Sequence, residues 1–233
     1  QEVLLDDGKI HLKIVEKAEN VTENGGENTQ EKRYFAKVLW GGLLKSRKSA
    51  ALPGAKIYPP TLTNSDLANI KIANEMGVTG VMQPFVRDHS DLERVKEVLR
   101  EAGAEDIRLF AKIENMDGVR KLEKLLPAAD EIVIARGDLG NAVHLWDLPG
   151  VQRQISEKCR AAGKPFMVVT QMLASMERSP VPTRAEVNDI FHAVMDGAAS
   201  IMVTGETAVG DYPVEVIRYM VNTVRSAEKE ENR

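Results

Sequence analysis

The second half of the chain alternates between short apolar runs and segments whose apolar residues recur with helical spacing. The apolar runs are rich in Val, Ile and Met, and they predict strands at 78–82, 107–111, 131–135, 166–169 and 200–203. Apolar residues three or four positions apart predict helices at 67–73, 92–102, 119–126, 151–162, 185–195 and 214–228. Regular alternation of this kind predicts an α/β fold whose parallel sheet is covered on both faces.

The first fifty or so residues show the two-residue alternation of β-strands instead. Every second residue from Ile10 to Ile14 is apolar, and the turn dipeptide Asp7-Gly8 comes before them. A further strand is predicted at 34–40, after a polar segment at 19–31 that predicts a loop. The beginning of the chain therefore predicts a small β unit.

Several prolines and a glycine occur between residues 52 and 60. Because these residues interrupt helices and strands, we place a domain boundary there. A closed barrel of strands and helices needs eight strand–helix units, and the sequence after this boundary predicts about five. Two interpretations remain, an open parallel sheet or a barrel whose first units precede this sequence. The sequence does not begin with Met, which favours the second interpretation.

Composition and charge narrow the class of protein. Of the 233 residues, 43% are hydrophobic and 28% are charged, as in a globular protein. The net charge of -4 argues against a general nucleic-acid binder, and no apolar run has the roughly 20 residues that a membrane span needs. The one cysteine, Cys159, cannot form an internal disulfide. We therefore expect a cytoplasmic protein that binds neither nucleic acid nor membrane.

Polar and charged residues follow four of the predicted strands. Lys112 and Glu114 follow the second strand, Asp138 follows the third, and Thr170 and Thr204 follow the fourth and fifth. Parallel strands end at one face of the sheet, where ligands bind, so we expect Lys112, Glu114, Asp138 and Thr170 to converge. A cation, two carboxylates and a hydroxyl suit a metal-bound phosphorylated substrate.

The two carboxylates and the lysine have different chemistry. Glu114 and Asp138 are hard oxygen ligands suited to Mg²⁺ or Mn²⁺, with open positions for substrate oxygens. The Lys112 ammonium suits a transferring phosphoryl group, and if the strand extends through both residues it shares a face with Glu114. The alternative interpretation is a Lys–Glu pair that only closes the end of a strand.

Gly137 and the two threonines can also be explained by local structure alone. Gly137 lets a ligand approach the backbone closely, but it is equally consistent with a simple turn. Thr170 and Thr204 are hydroxyls at strand ends, which taken alone more often cap or pack than bind substrate.

Several segments resemble one family, and they occur in order over nearly the whole chain. They are DDGKI at 6–10, GG at 41–42, LPG at 52–54, AKIEN at 111–115, ARGDLG at 135–140, TQMLASM at 170–176, PVPTRAE at 180–186 and DGAASIMVTGETAVGDYP at 196–213. Together they resemble pyruvate kinase. The resemblance implies part of a (β/α)8 TIM barrel with a small inserted β domain. Residues 1–52 then correspond to the end of the inserted domain and 53–233 to barrel strands four to eight.

The resemblance also implies a reaction and roles for residues. Phosphoenolpyruvate and ADP would give pyruvate and ATP in glycolysis, with Mg²⁺ or Mn²⁺ as cofactor, with K⁺ as a candidate second cation, and in a homo-oligomer. Lys112 would stabilise the phosphoryl group during transfer, and Glu114 and Asp138 would bind the divalent metal. The backbone of Gly137 and Asp138 would contact the substrate carboxylate. Thr170 would act in substrate binding and protonation, and Thr204 in proton relay.

The sequence departs from the family pattern at three positions. Pro84 and Thr204 replace usual serines, and Ala142 replaces a usual glutamate. The family's first three barrel strands, with a phosphate-binding arginine and the monovalent-cation ligands, and its C-terminal regulatory domain are not in this sequence, so we expect a fragment. Two alternatives remain, a metal-dependent aldolase or lyase acting on pyruvate enolate, and a catalytically silent binding or regulatory module.

Overall fold

A computed structural model describes residues 1–18, 32–55 and 57–231. Packing contacts divide the chain into two units, Gln1–Tyr58 and Pro59–Arg233. The predicted division into 1–52 and 53–233 stays a prediction, and the loop predicted at 19–31 lies outside the described residues. No helix in the described ranges has the length and apolar character that crossing a membrane requires.

The first unit contains a four-stranded antiparallel sheet. Its strands are β1 (Glu2–Leu5), β2 (Ile10–Lys17), β3 (Tyr34–Trp40) and β4 (Ala50–Ala51), in the order β3-β2-β1-β4. Asp6, Asp7 and Gly8 all have positive φ between β1 and β2, so the predicted turn is confirmed. Ile10 is buried, whereas every residue of β3 is exposed, so this sheet has only a small apolar core.

The second unit contains five parallel strands in sequential order. They are β5 (Gly80–Gln83), β6 (Arg108–Ile113), β7 (Glu131–Ala135), β8 (Phe166–Val169) and β9 (Ser200–Met202). A doubly wound sheet reverses its strand order at a switch point, whereas a barrel keeps the order of the sequence. The arrangement is that of part of a (β/α)8 barrel, as the resemblance implies. The bounds of β7 and β8 match the prediction.

Helices connect and follow these strands. They are α1 (Asn64–Ala73), α2 (His89–Glu101), α3 (Met116–Arg120), α4 (Leu122–Leu125), α5 (Arg136–Ala142), α6 (Leu148–Ala161), α7 (Arg184–Met195), α8 (Gly205–Ala208) and α9 (Pro213–Glu231), with a 3₁₀ turn at Ala174–Glu177. The helix predicted at 119–126 is two short helices that meet at Lys121. The pattern did not predict the short helices α5 and α8. Helix α5 follows β7 directly and contains Gly137 and Asp138, and α8 begins one residue after Thr204.

The two faces of the parallel sheet have different neighbours. On β6, Leu109, Ala111 and Ile113 are buried in the large core that also contains the apolar residues of the helices. The opposite face has a smaller cluster whose members all lie on strands: Val133, Ala135 and Val169, with Phe110, Met167 and Met202 packed against them. Side chains of the strands themselves fill the interior of a barrel. Lys112 follows Phe110 by two residues and therefore belongs to this interior face.

Candidate active site

Lys112 and Glu114 form an ion pair at the carboxyl end of β6. Strand β6 extends to Ile113, so it includes Lys112 and ends one residue before Glu114. The Lys112 Nζ atom lies 2.7 Å from Oε1 of Glu114, whose side chain is 2% exposed against 26% for Lys112. Burial of a carboxylate is costly unless it is paired and hydrogen-bonded. The pair therefore holds one cationic and one anionic group at the edge of the barrel interior.

The second oxygen of Glu114 joins the end of β6 to the end of β5. Oε2 accepts a hydrogen bond of 2.7 Å from the backbone N–H of Phe85, whose φ is +52°. This backbone conformation is uncommon for a bulky residue and needs support from its surroundings. Within the described part of the chain, each oxygen of Glu114 has one polar partner and keeps a lone pair, because a carboxylate has about four acceptor sites. Glu114 can therefore support Phe85 and still accept a further ligand.

Gly137 and Asp138 lie in the first turn of α5, which begins directly after β7. Asp138 is half-buried. A methyl group added at Gly137 would lie 3.7 Å from the nearest atoms of Thr170, an ordinary contact distance, and the φ of Gly137 is not positive. Packing within the described chain therefore gives no steric reason for glycine at this position.

Thr170 follows β8 and contacts Gly137 directly. Its Oγ1 accepts a hydrogen bond of 2.8 Å from Gly137 N–H and donates one of 2.5 Å to the carbonyl of Val169. The register pairs Ala135 with Val169, so the ends of β7 and β8 are level. The structure thus joins Lys112 to Glu114 and Gly137 to Thr170, at neighbouring strand ends on one edge of the sheet.

Thr204 lies at the end of the next strand, two residues after β9. Its side chain is exposed, and its backbone N–H donates to Oε2 of Glu206 at 2.8 Å. Its hydroxyl lies 3.5 Å from the same oxygen, and its carbonyl accepts from Thr207. These bonds lie within its own loop. Thr204 is therefore on the same edge of the sheet as the other five candidate residues, but within the described part of the chain it is not bonded to them.

Two residues that the sequence analysis did not select organise these strand ends. The Arg136 guanidinium bonds to the carbonyl of Thr170 and to both carboxylate oxygens of Asp189 on α7. Glu206, only 2% exposed, accepts from the N–H groups of Leu173 and Thr204. Arg136 and Glu206 both lie in segments quoted for the resemblance. Apart from Thr204, however, their partners are at least 33 residues away in the sequence. Local spacing does not predict contacts over such a separation.

A second charged cluster, formed by Asp91 and Arg87, stabilises the segment that follows β5. The Asp91 carboxylate accepts hydrogen bonds from the side chain and backbone of Arg87 and from the hydroxyl of Thr61. Burial by itself raises the pKa of Asp91, but these hydrogen bonds outweigh it and lower the pKa from 3.8 to about 2. By contrast, burial raises the pKa of the Cys159 thiol to about 12, which does not suit a nucleophile at neutral pH.

The residues present fit a metal site completed by a substrate. Within the ranges 1–18, 32–55 and 57–231, no group of three or more His, Cys, Asp or Glu residues is placed to hold a metal ion. Mg²⁺ commonly binds one or two carboxylates and takes its other ligands from water and substrate phosphates. Glu114 and Asp138, which follow neighbouring strands, would supply two carboxylates of this kind.

The sequential parallel strands define a barrel domain. The polar residues at their carboxyl ends lie at the edge where barrels of this kind bind their ligands. The family model described as "Pyruvate kinase, barrel domain" matches residues 1–217 of this chain. The chain therefore belongs to the pyruvate kinase barrel-domain family.

Similar proteins agree with this assignment. The chain is 38% identical over 227 residues to the pyruvate kinase of Bacillus licheniformis, covering 97% of this chain and 37% of that protein. It is 40% identical over 218 residues to the pyruvate kinase of Geobacillus stearothermophilus, covering 94% and 35%. For the pyruvate kinase of Dictyostelium discoideum the identity is 39% over 228 residues, covering 97% and 42%. The chain thus spans less than half the length of these relatives.

Proposed function

We propose that the protein containing this chain transfers the phosphoryl group of phosphoenolpyruvate to ADP, giving pyruvate and ATP. The observation that carries this proposal is the Lys112 ammonium, fixed by the buried Glu114 carboxylate at the carboxyl end of a barrel strand. An ammonium fixed before the reaction can stabilise negative charge on a phosphoryl group during transfer. Membership of the pyruvate kinase family supports the same reaction.

Glu114 and Asp138 would hold the divalent cation, Mg²⁺ or Mn²⁺. Both are carboxylates, and the oxygens of Glu114 keep acceptor capacity beyond Lys112 and Phe85. A divalent cation there would neutralise charge on phosphate and enolate oxygens. K⁺ is proposed as a second cation from the family resemblance alone.

Other residues would bind the substrate. The backbone amides of Gly137 and Asp138 are proposed to bind the carboxylate of phosphoenolpyruvate, which would exchange the present bond from Gly137 N–H to Thr170 for one to the substrate. Lys112 would contact the phosphoryl oxygens. Because the three atoms nearest to an added side chain at position 137 all belong to Thr170, at 3.7 Å or more, the glycine would leave room at this point for a ligand.

The chemical steps then follow from the chain's own groups. The bond between phosphorus and the enol oxygen breaks, its electron pair stays on that oxygen, and a terminal phosphate oxygen of ADP forms the new bond to phosphorus. Carbon 3 of the enolate then takes up a proton. Thr170 is proposed to bind at the enolate and to act in this protonation, and the exposed hydroxyl of Thr204 to relay the proton.

The oligomeric state, the location and the pathway of the enzyme are also proposals. We expect a homo-oligomer in the cytoplasm that works in glycolysis and binds pyruvate and ATP as products. These expectations rest on the family resemblance and on the sequence composition.

The test is turnover of the natural full-length protein with phosphoenolpyruvate, ADP and Mg²⁺, with pyruvate detected through lactate dehydrogenase and ATP measured separately. The proposal predicts equal amounts of pyruvate and ATP, and no pyruvate when ADP or the metal is omitted. Pyruvate formed from an aldol substrate, without ADP, would support the lyase alternative. No reaction in either assay would support a silent binding module.

A further inference from the structure

Two consecutive residues at the end of β8 have left-handed backbone conformations. The φ values are +76° for Thr170 and +54° for Gln171, and neither residue is glycine. For a β-branched residue such as threonine this region is strongly disfavoured. Such a conformation persists only where surrounding contacts enforce it, and it is often found at functional sites. The contacts around Thr170 therefore decide where its hydroxyl lies.

Arg136 supplies two of the hydrogen bonds at Thr170. Its NH2 and Nε atoms donate to the carbonyl of Thr170 at 2.8 and 3.3 Å, and NH2 also lies 2.8 Å from the sulfur of Met172. The guanidinium thus bonds to the carbonyl within the left-handed pair and to the side chain of the residue that follows the pair. The next residue, Gly137, donates its N–H to the Thr170 hydroxyl.

Asp189 fixes the guanidinium from the opposite side. Both of its carboxylate oxygens accept from NH1 of Arg136, at 2.8 and 2.7 Å. The Arg136 side chain is only 11% exposed and that of Asp189 is 33% exposed. Lysine cannot reproduce this arrangement, because its single ammonium cannot bond along two directions of a planar fork.

We propose that Arg136, oriented by Asp189, is a positioning residue that holds the Thr170 hydroxyl at the substrate site. This inference rests on the proposed function, in which Thr170 contacts the enolate. Arg136 itself acts through Thr170, since its hydrogen bonds go to Thr170, Met172 and Asp189. Loss of the guanidinium should free the left-handed pair, release the hydroxyl from Gly137, and slow the reaction without removing the substrate-binding groups.

The first measurement is independent of activity. In the natural full-length protein, Arg136→Lys should make hydrogen exchange of the Gly137 amide at least tenfold faster, because this amide has no intrahelical partner at the start of α5 and depends on Thr170. The matched control is Arg153→Lys on α6, whose pair with Glu157 is exposed. It should leave exchange at Gly137 unchanged.

The second measurement is a double-mutant cycle on kcat. Arg136→Lys should lower kcat at least tenfold while KM for phosphoenolpyruvate changes less than threefold. In a Thr170→Val background the same change should lower kcat less than twofold further, because coupled residues are not additive. If Arg136→Lys does not fold, Asp189→Asn replaces it in both measurements, with smaller effects in the same direction.

The outcomes separate the two proposals. Faster exchange at Gly137 together with non-additive losses of kcat would support the positioning role. An active wild-type enzyme with unchanged exchange, or with fully additive losses, would overturn the role of Arg136 and leave the proposed function standing. A wild-type protein without phosphoryl transfer would overturn the proposed function and, with it, this role.

Discussion

The buried carboxylate of Glu114 bonds to the Lys112 ammonium through one oxygen and to the Phe85 amide through the other, each at 2.7 Å. One side chain thus fixes a cation on its own strand and an unusual backbone conformation on the neighbouring strand. Removing its charge should affect both the proposed metal site and the geometry of the lysine.

Glu114→Gln and Asp138→Asn should each weaken Mn²⁺ binding at least tenfold, equivalent to about 1.4 kcal/mol. The reason is that each replaces a negatively charged oxygen ligand by a neutral amide. Isothermal titration with Mn²⁺ measures the change, and Glu105→Gln, at an exposed position, is the control. The metal assignment would be wrong if both variants titrated like the wild type.

Gly137→Ala should fold normally but bind phosphoenolpyruvate poorly. The added methyl group would make only an ordinary contact with Thr170, and alanine is a better helix former than glycine, by about 1 kcal/mol in helix interiors. We expect an unchanged or higher melting temperature and a KM raised roughly tenfold, equivalent to about 1.4 kcal/mol of lost binding.

The matched control for this prediction is Gly150→Ala in α6, where an added methyl group would meet nothing within 4 Å. It should leave KM unchanged. An equal rise in KM in the two variants would show that the effect at Gly137 is general, and a normal KM for Gly137→Ala would argue against substrate binding by this backbone.

Stability at low pH should depend on Asp91. Its pKa is lowered from 3.8 to about 2 in the folded state, so the folded state is favoured while the carboxylate is ionised. This contribution is complete above about pH 4 and is lost as the pH falls through about 2, because the unfolded chain takes up the proton first. Lowering the pKa from 3.8 to about 2 corresponds to at most about 2 to 3 kcal/mol of unfolding free energy.

Urea unfolding of the wild type and of Asp91→Asn measures this contribution. The variant should be less stable at pH 5, and the difference should shrink toward pH 2. Asp106→Asn, at an exposed position, should show no such trend. A difference that stays constant with pH would show that the Asp91 charge does not stabilise the fold.

The strands and long helices were predictable because burial imposes a regular pattern on local sequence. Strands β7 and β8 are buried along almost their whole length, and their bounds were predicted without error. Prediction was weaker for the helical segment at 119–126, where apolar spacing continues across the break at Lys121. Hydrophobic periodicity alone does not report whether the backbone hydrogen bonds are continuous.

The candidate site was predictable as a set of strand ends but not as a network. Lys112 and Glu114 are two residues apart, so strand geometry brought them together in advance. The bond from Arg136 to Asp189 spans 53 residues, and the same guanidinium bonds to the carbonyl of the left-handed Thr170. Contacts of this length follow from packing of whole elements, and no local pattern contains them.

The most direct test of the proposed phosphoryl transfer is kcat of Lys112→Met in the natural full-length protein, compared with Lys121→Met. Lys121 is a matched control because it also pairs with a carboxylate, that of Asp88, but is 45% exposed. An ammonium aimed at the transferring group acts mainly in the transition state. We expect kcat of Lys112→Met to fall by about 10³ with KM and Mn²⁺ binding little changed, and Lys121→Met to remain active. A nearly normal kcat for Lys112→Met would contradict the role of Lys112 in phosphoryl transfer.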